Sequence, residues 1–302
     1  MKVAPNLFCI GGMRCGSTTL HDLLGQHPDI FMSKSKEPMF WIAEADRRAG
    51  NWQPGKGKYR TEATYSSLFA DAGDFLFRGE SSHYLYRPDT APLISMACPD
   101  SRIVISLRDP AERLFSEFLF RVRRGELSGS FEDFAYFDTN RTPTGMIRSI
   151  GKKSRINKGL QGKLVHPWLE QFGRDCVRTI LFEDIQTNSE RTVQSLFDWL
   201  GVDSGFSPIV THTQKSGIPR HPGLFALLDR GGGQARKVAK ALVPPGLRKR
   251  LRANLYGKSL ERPKPSIETM TILRSFYRQD IELLGEITGH DLSQWLAKTE
   301  AD

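Results

Sequence analysis

The sequence predicts an α/β fold of three layers, a central parallel sheet flanked by helices. Two observations carry that expectation. Short apolar runs of strand length alternate with amphipathic stretches of helix length along most of the chain. The first apolar run also opens into a glycine-rich turn followed at once by a helical pattern. Size permits the fold: 302 residues, 39% hydrophobic and 25% charged, suffice for a packed core.

The elements follow in order. Leu7-Phe8-Cys9-Ile10 reads as a buried strand that ends at Gly11-Gly12. From Ser17 to Gly25 the pattern is helical, with Leu20, Leu23 and Leu24 on one face, and His27-Pro28-Asp29 stops it. Further strands are expected over residues 75–78, 102–107 and 177–182. Helices are expected over 65–69, 88–97, 111–123, 159–172, 189–200 and 266–288. Motifs run from residue 8 to about 296 with no linker between them, so a single domain over 1–302 is expected. Within it, residues 224–265 shift in composition. Gly231-Gly232-Gly233 precedes Arg236, Lys237 and Lys240, then Pro244-Pro245, then Arg248, Lys249, Arg250 and Arg252. This stretch reads as a basic helical surface segment.

The formal net charge is +9, from 43 Lys+Arg against 34 Asp+Glu. Such a surface favours anionic partners: nucleotides, acidic glycans, nucleic acid or anionic lipid. The four cysteines, Cys9, Cys15, Cys98 and Cys176, have no CxxC spacing and form no Cys/His cluster of zinc type. They read as reduced thiols of a cytoplasmic protein, with Cys9 and Cys176 in the core. No window approaches the roughly 20 apolar residues of a membrane span, and the N-terminal run is too short for a signal peptide.

Gly11-Gly12-Met13-Arg14-Cys15-Gly16-Ser17-Thr18 has the spacing of a phosphate loop, GxxxxGK[ST], between a strand and a helix. Its glycines let backbone N–H groups converge on an anion, and the helix N-terminus adds its positive dipole end. Ser17 stands where ATP and GTP enzymes carry the lysine that reaches the β- and γ-phosphates. The nearest cation is Arg14. A donor with no γ-phosphate, such as a 5′-phosphosulfate, suits a loop of this kind. The fold is therefore expected to be P-loop-NTPase-like.

Residues 10–20, continuing to His27-Pro28-Asp29-Ile30, resemble the 5′-phosphosulfate loop of sulfotransferases that use 3′-phosphoadenosine-5′-phosphosulfate (PAPS). The likeness is to the heparan sulfate N- and 3-O-sulfotransferase branch and its bacterial relatives. Arg14 holds the place of that family's loop lysine. Arg102 to Ser116 resembles the family's 3′-phosphate motif, R-[DN]-P-x-x-R-x-x-S. Here a strand ends at Arg108, whose guanidinium can bind phosphate bidentately, while Asp109 and Pro110 suit a helix start and Ser116 offers a hydroxyl. Lys36-Glu37-Pro38-Met39-Phe40-Trp41 resembles the segment that carries the candidate base, and so implies Glu37. Gly79 to Tyr86 resembles a further family stretch. There Ser81 replaces a second lysine of the N-sulfotransferases, which leans toward O-sulfation, and His83 is an alternative base. Lys158 to Gln161 resembles the helix after the adenine region, with Gln161 in place of the usual Tyr. Lys215 to Arg220 resembles a late loop whose Lys215 and Arg220 close over the donor.

The resemblance implies in-line sulfuryl transfer from PAPS to an acceptor hydroxyl, with PAP as product and no metal. Arg14, with Cys15, Gly16, Ser17, Thr18 and Thr19, would hold the 5′-phosphosulfate. Arg108 and Ser116 would hold the 3′-phosphate, and Glu37 would take the acceptor proton. The expected partner is a glycan, lipid-linked or small-molecule acceptor, with peripheral contact to an anionic membrane or polyanion and no nucleic acid. Two rival readings follow from the residues. A P-loop kinase or NTPase fits the loop spacing but lacks the lysine. A polyanion-binding protein fits residues 236–252, which hold no aromatic for base stacking.

Overall fold

A computed structural model describes residues 4–52, 57–127, 129–136, 139–141, 147–150, 155–210, 218–219, 260–261 and 263–297. The strands in chain order are β1 (Leu7–Cys9), β2 (Ile30–Met32), β3 (Phe77–Ser81), β4 (Arg102–Leu107), β5 (Thr139–Arg141), β6 (Ile147–Ile150), β7 (Val177–Leu181), β8 (Ile218–Pro219) and β9 (Leu260–Glu261). The helices are α1 (Ser17–Leu24), α2 (Phe40–Arg48), α3 (Glu62–Ser66), α4 (Ala91–Ala97), α5 (Pro110–Arg123), α6 (Phe131–Tyr136), α7 (Gln161–Phe172), α8 (Phe182–Thr187), α9 (Ser189–Leu200), α10 (Ile267–Thr288) and α11 (Ser293–Ala297). The chain forms two compact units. The first comprises Met1–Pro110, Leu160–Thr211 and Tyr277–Leu296; the second comprises Ala111–Gly159, His212–Phe276 and Ala297–Asp302.

The first unit is built on a five-stranded sheet in the order β2-β3-β1-β4-β7. All four pairings are parallel. Helices flank the sheet, as the alternation of strand and helix patterns predicts. Successive strand residues face opposite sides, so the two faces need separate covers. Leu7, Cys9, Val104 and Ile180 form one core with Leu20, Leu23 and Leu24 of α1 and Val193, Leu196 and Phe197 of α9. Phe8, Ile103 and Ile105 have the opposite parity and are also fully buried. This is why the strands read as continuous apolar runs rather than alternating ones. Each buried leucine contributes about 1.5–3 kcal/mol.

Helix α7 packs against β4 and β7. Its first turn is held by Asp280, whose carboxylate accepts from the N–H groups of Gly162 at 2.8 Å and Lys163 at 3.0 Å. In the second unit, α5 buries Arg113 completely. Its guanidinium pairs with Glu117 at 3.0 Å, and Arg121 reaches the same carboxylate from one turn on. Beside them Phe115, Phe118, Phe131 and Phe134 form an aromatic cluster.

Two departures from the expected elements shape the site. The strand expected over 75–78 lies at β3 instead, shifted into Gly79-Glu80-Ser81. A fully buried carboxyl hides this strand from an apolar pattern. At Gly79 a Cβ would stand 2.3 Å from Sδ of Met32 on β2, so a side chain there would displace the end of Met32. Strand β2 and helix α2 were not expected, and they place the Lys36–Trp41 segment at the sheet. Among the described residues no helix is long and apolar enough to cross a membrane.

Candidate active site

Ligands of parallel sheets bind beyond the carboxyl ends of the strands. In the first unit each strand supplies one piece there: Gly11–Ser17 after β1, Lys36 and Glu37 after β2, Ser82 and His83 after β3, Arg108 after β4 and Phe182 after β7.

The loop leaves β1 while still bonded to β4. Ile10 N–H donates to the Val104 carbonyl at 2.9 Å, and Gly12 N–H donates to that of Ser106 at 3.1 Å. Gly11 can only be glycine, because a Cβ would stand 2.1 Å from Ser106 Oγ and 2.6 Å from Ser106 N. Tyr86 Oη then accepts from Met13 N–H at 2.8 Å. Gly16, with φ 85°, turns the chain into α1, and Leu20 N–H closes the first helical bond on its carbonyl at 3.1 Å. The N–H groups of Ser17, Thr18 and Thr19 thus begin a helix and lack helical acceptors, as the first N–H groups of any helix do. Cys15 is buried within the loop.

Arg108 is buried at the end of β4. Gln161 of α7 clamps its backbone from both sides: Arg108 N–H donates to Gln161 Oε1 at 3.2 Å, and Gln161 Nε2 donates to the Arg108 carbonyl at 2.6 Å. Its guanidinium lies over the Phe182 ring, 4.3 Å from the centroid, and donates to the Arg14 carbonyl at 3.1 Å. Phe182 also closes on the loop, since a Cβ at Gly16 would meet its ring at 3.1 Å. Arg108 therefore braces the phosphate loop from beneath.

The segment bearing Glu37 is held by a buried network that joins two of the sequence motifs. Glu37 N–H donates to the Ser81 carbonyl at 2.8 Å, and Met39 N–H to Ser82 Oγ at 3.3 Å. Ser82 in turn donates to Glu80 at 2.7 Å. That carboxyl also accepts from Tyr65 Oη at 2.9 Å and Tyr84 Oη at 2.7 Å. Trp41 Nε1 donates to Tyr65 at 3.2 Å. Burial pushes the Glu80 carboxyl above its ordinary range, while its hydroxyl donors pull it back.

Glu37 Oε1 lies 3.0 Å from His83 Nε2 and 3.1 Å from Lys36 Nζ. The His83 hydrogen bond, the largest influence, and the Lys36 charge hold the Glu37 carboxyl at about 2 against burial. His83 Nδ1 faces the Gly11 carbonyl at 3.4 Å. The two residues read from the sequence as alternative bases are thus partners in one pair. Among the described residues, Arg14 (φ 71°), Glu37 (φ 59°) and Met39 (φ 56°) are the non-glycines in the left-handed region. Such conformations persist where surrounding structure over-determines them. Burial pushes the Cys9 thiol up to about 12, in keeping with a core residue.

The structure brings Arg14 to Thr19, Glu37, His83 and Arg108 to one end of the sheet. Ser116 is buried on α5 in the second unit, and its assignment rests on its sequence motif alone. Lys215, Arg220 and the segment at 224–265, apart from residues 260–261 and 263–265, lie outside the described residues. Sequence reasoning missed Lys36, Tyr86 and Phe182 as parts of the site and treated Gln161 as a weakened contact. Lys36 was within reach, since it stands next to Glu37. Phe182 needed the sheet order, which makes β7 the neighbour of β4. Among the described residues no group of three His, Cys, Asp or Glu could hold a metal ion.

A parallel sheet with an anion loop after its central strand defines the phosphate-loop class of α/β proteins. Within that class, the sulfotransferase domain family model matches residues 4–217, and the chain belongs to that family. It is 20% identical over 250 residues to carbohydrate sulfotransferase 15 of Mus musculus, covering 67% of this chain and 44% of that protein. It is 24% identical over 292 residues to heparan sulfate glucosamine 3-O-sulfotransferase 3B1 of Mus musculus, covering 96% and 65%. The chain thus spans less than half the length of the first of these relatives. A sulfotransferase from Alicyclobacillus acidocaldarius shares the fold, with TM-score 0.66 and 24% identity over 97% of this chain and 99% of that one.

Proposed function

We propose that the chain transfers a sulfuryl group from PAPS to an acceptor hydroxyl in line, with Glu37 as the base. One observation carries this: an ionised carboxylate stands beside a phosphate loop that lacks its lysine, with Lys36 Nζ 3.1 Å from Glu37 and 3.5 Å from Ser17 Oγ. The donor set fits a 5′-phosphosulfate. The N–H groups of the first turn of α1 would face an anion, Arg14 adds charge, and no group is required for a γ-phosphate.

The chemistry asks little covalent work of the protein, so positioning and charge stabilisation dominate. The acceptor O–H proton passes to Glu37. The acceptor oxygen bonds to sulfur, and the bond from sulfur to the bridging oxygen breaks. The electron pair stays on the 5′-phosphate of PAP, a stable anion that needs no general acid. Arg108 takes the 3′-phosphate and so selects PAPS over ATP. The names of the relatives, carbohydrate and heparan sulfate sulfotransferases, support a sugar hydroxyl as acceptor. The basic segment at 224–265 would give peripheral contact with a polyanionic acceptor or anionic membrane.

The deciding test pairs two measurements. PAP should raise the melting temperature more than ATP does, and labelled PAPS offered with a panel of sugar, lipid-linked and small-molecule hydroxyls should give a sulfated product by mass spectrometry. A larger shift with ATP would favour the kinase reading.

A further inference from the structure

The loop at Gly11–Thr18 has the spacing of a phosphate loop but carries Ser17 where such loops place a lysine. That lysine normally brings an ammonium onto the transferred group. An ammonium is nevertheless present. Lys36 follows β2, two strands from the loop in the sheet order β2-β3-β1, and its Nζ reaches 3.5 Å from Ser17 Oγ. The same nitrogen lies 3.1 Å from Glu37 Oε1, so it stands between the carboxylate and the loop. Its side chain is 23% exposed, with the stem against the protein. Its charge is felt at Cys9 on β1 and at Glu80 on β3, where it favours the deprotonated forms. The Nζ therefore lies beside the first residue of α1, where the loop after β1 ends.

We propose that Lys36 supplies from a second segment the ammonium that the loop lacks at Ser17, beside the guanidinium charge of Arg14, and that it acts on the sulfuryl group in flight. This rests on the sulfuryl-transfer reading above. The Lys36 N–H groups turn from Glu37 and Ser17 toward the sulfuryl oxygens, where negative charge is carried as the bond to the bridging oxygen breaks. Glu37, receiving the acceptor proton, needs the Lys36 charge less at that moment. Lys36 is thus a catalytic residue in its own right and not only a partner that keeps Glu37 ionised.

The experiment uses the full chain as wild type, Lys36→Met, Lys36→Arg and the double variant Lys36→Met/Ser17→Lys. Methionine keeps the apolar stem without the charge, and each variant is first checked by thermal melting. PAP binding is measured by calorimetry. Conversion of PAPS to PAP is followed across pH, with water or any acceptor found in the panel as the taker. If Lys36 acts on the sulfuryl group, Lys36→Met lowers the high-pH plateau of kcat by about 100-fold, the loss typical of removing one charge-stabilising donor. Lys36→Arg and the double variant should recover part of that loss, because either returns a cation to the same place. If Lys36→Met shifts only the acid limb and leaves the plateau at the wild-type level, Lys36 works through Glu37 alone and the inference falls. A plateau that falls in Lys36→Met with no recovery in either cationic variant also overturns it. A wild type that binds no PAP, or binds it and converts no PAPS, sinks the sulfuryl-transfer reading itself and this inference with it. Should Lys36→Met not fold, Lys36→Gln gives the same comparison.

Discussion

Glu37 Oε1 and His83 Nε2 lie 3.0 Å apart, at the carboxyl ends of β2 and β3. The carboxylate is half exposed, so burial does not force it neutral; the imidazole and Lys36 keep it charged. As the proposed base, Glu37 would be ready at every physiological pH. Its weak intrinsic basicity matches a reaction in which the acceptor proton leaves late and the leaving phosphate is stable. In the proposed reaction an acceptor hydroxyl would replace His83 or Lys36 as the hydrogen-bond partner of Glu37, and the carboxylate would become more basic as it does so.

Glu37→Gln removes the base and keeps the shape. Turnover should fall by about 10²- to 10⁴-fold, the span of general base contributions. PAP affinity by calorimetry should stay at the wild-type value, since Glu37 is assigned no contact with the nucleotide. Undiminished conversion of PAPS would remove Glu37 from the mechanism.

His83→Ala should move the acid limb of the pH profile. A depressed carboxylate pKa gives stability that is present above pH 4.5, its ordinary value, and is lost as pH falls toward 2. Without His83 the carboxyl rises toward 4.5, so activity is lost at higher pH than in the wild type, while the stability that the wild type loses on acidification is already reduced at neutral pH. Loss of orientation should also lower kcat by about 10²-fold at neutral pH. An acid limb that does not move would show that the pair does not set the ionisation of the base.

Arg108→Ala tests nucleotide selection. Wild type should prefer PAP to adenosine 5′-monophosphate, which lacks the 3′-phosphate. The variant should bind PAP about 10- to 100-fold more weakly, as expected for a lost charged hydrogen bond, and should level the preference. The Arg14 carbonyl also loses its donor, so both ligands weaken somewhat; only the difference between them reports on the 3′-phosphate. Gln161→Leu leaves the buried N–H and carbonyl of Arg108 without the amide that clamps them, at about 1–3 kcal/mol for each group left unpaired. It should lower the melting temperature and weaken PAP binding while leaving Arg108 in place.

Gly11→Ala should destabilise the loop more than any neighbouring change. Its Cβ would lie 2.6 Å from Ser106 N, a backbone atom of β4 that cannot move without disturbing the pairing of β4 with β7. The cost should reach the upper part of the about 1–3 kcal/mol range for overpacking, read as a fall in the urea midpoint. Adding Ser106→Gly should not restore stability, because it removes the hydroxyl clash and not the backbone one.

How far the sequence went follows from what each residue needs. The strands at 7–10, 102–107 and 177–182 and the helices at 17–25 and 189–200 were legible because their faces are buried against the sheet and their apolar periods survive in the chain. The loop and Arg108 were legible because glycines and a strand-end arginine carry their chemistry at fixed spacing. Strand β3 was displaced in the reading because Glu80, a buried carboxyl satisfied by the hydroxyls of Tyr65, Ser82 and Tyr84, does not look like a strand residue. Gln161 looked like a loss because its worth lies in a two-point clamp on a backbone 53 residues away.

The sequence by itself determined the class of this protein: a phosphate loop without its lysine, an R-D-P strand end and a parallel α/β alternation are local patterns, and local spacing specifies them. Tertiary structure alone decided who meets whom. Parallel pairing of β2 with β3 set Glu37 against His83, and the turn after β2 carried Lys36 to Ser17, although 19 residues separate them. Those contacts depend on strand order, register and the burial of Glu80, which are properties of the packed sheet and leave no spacing in the chain to be read.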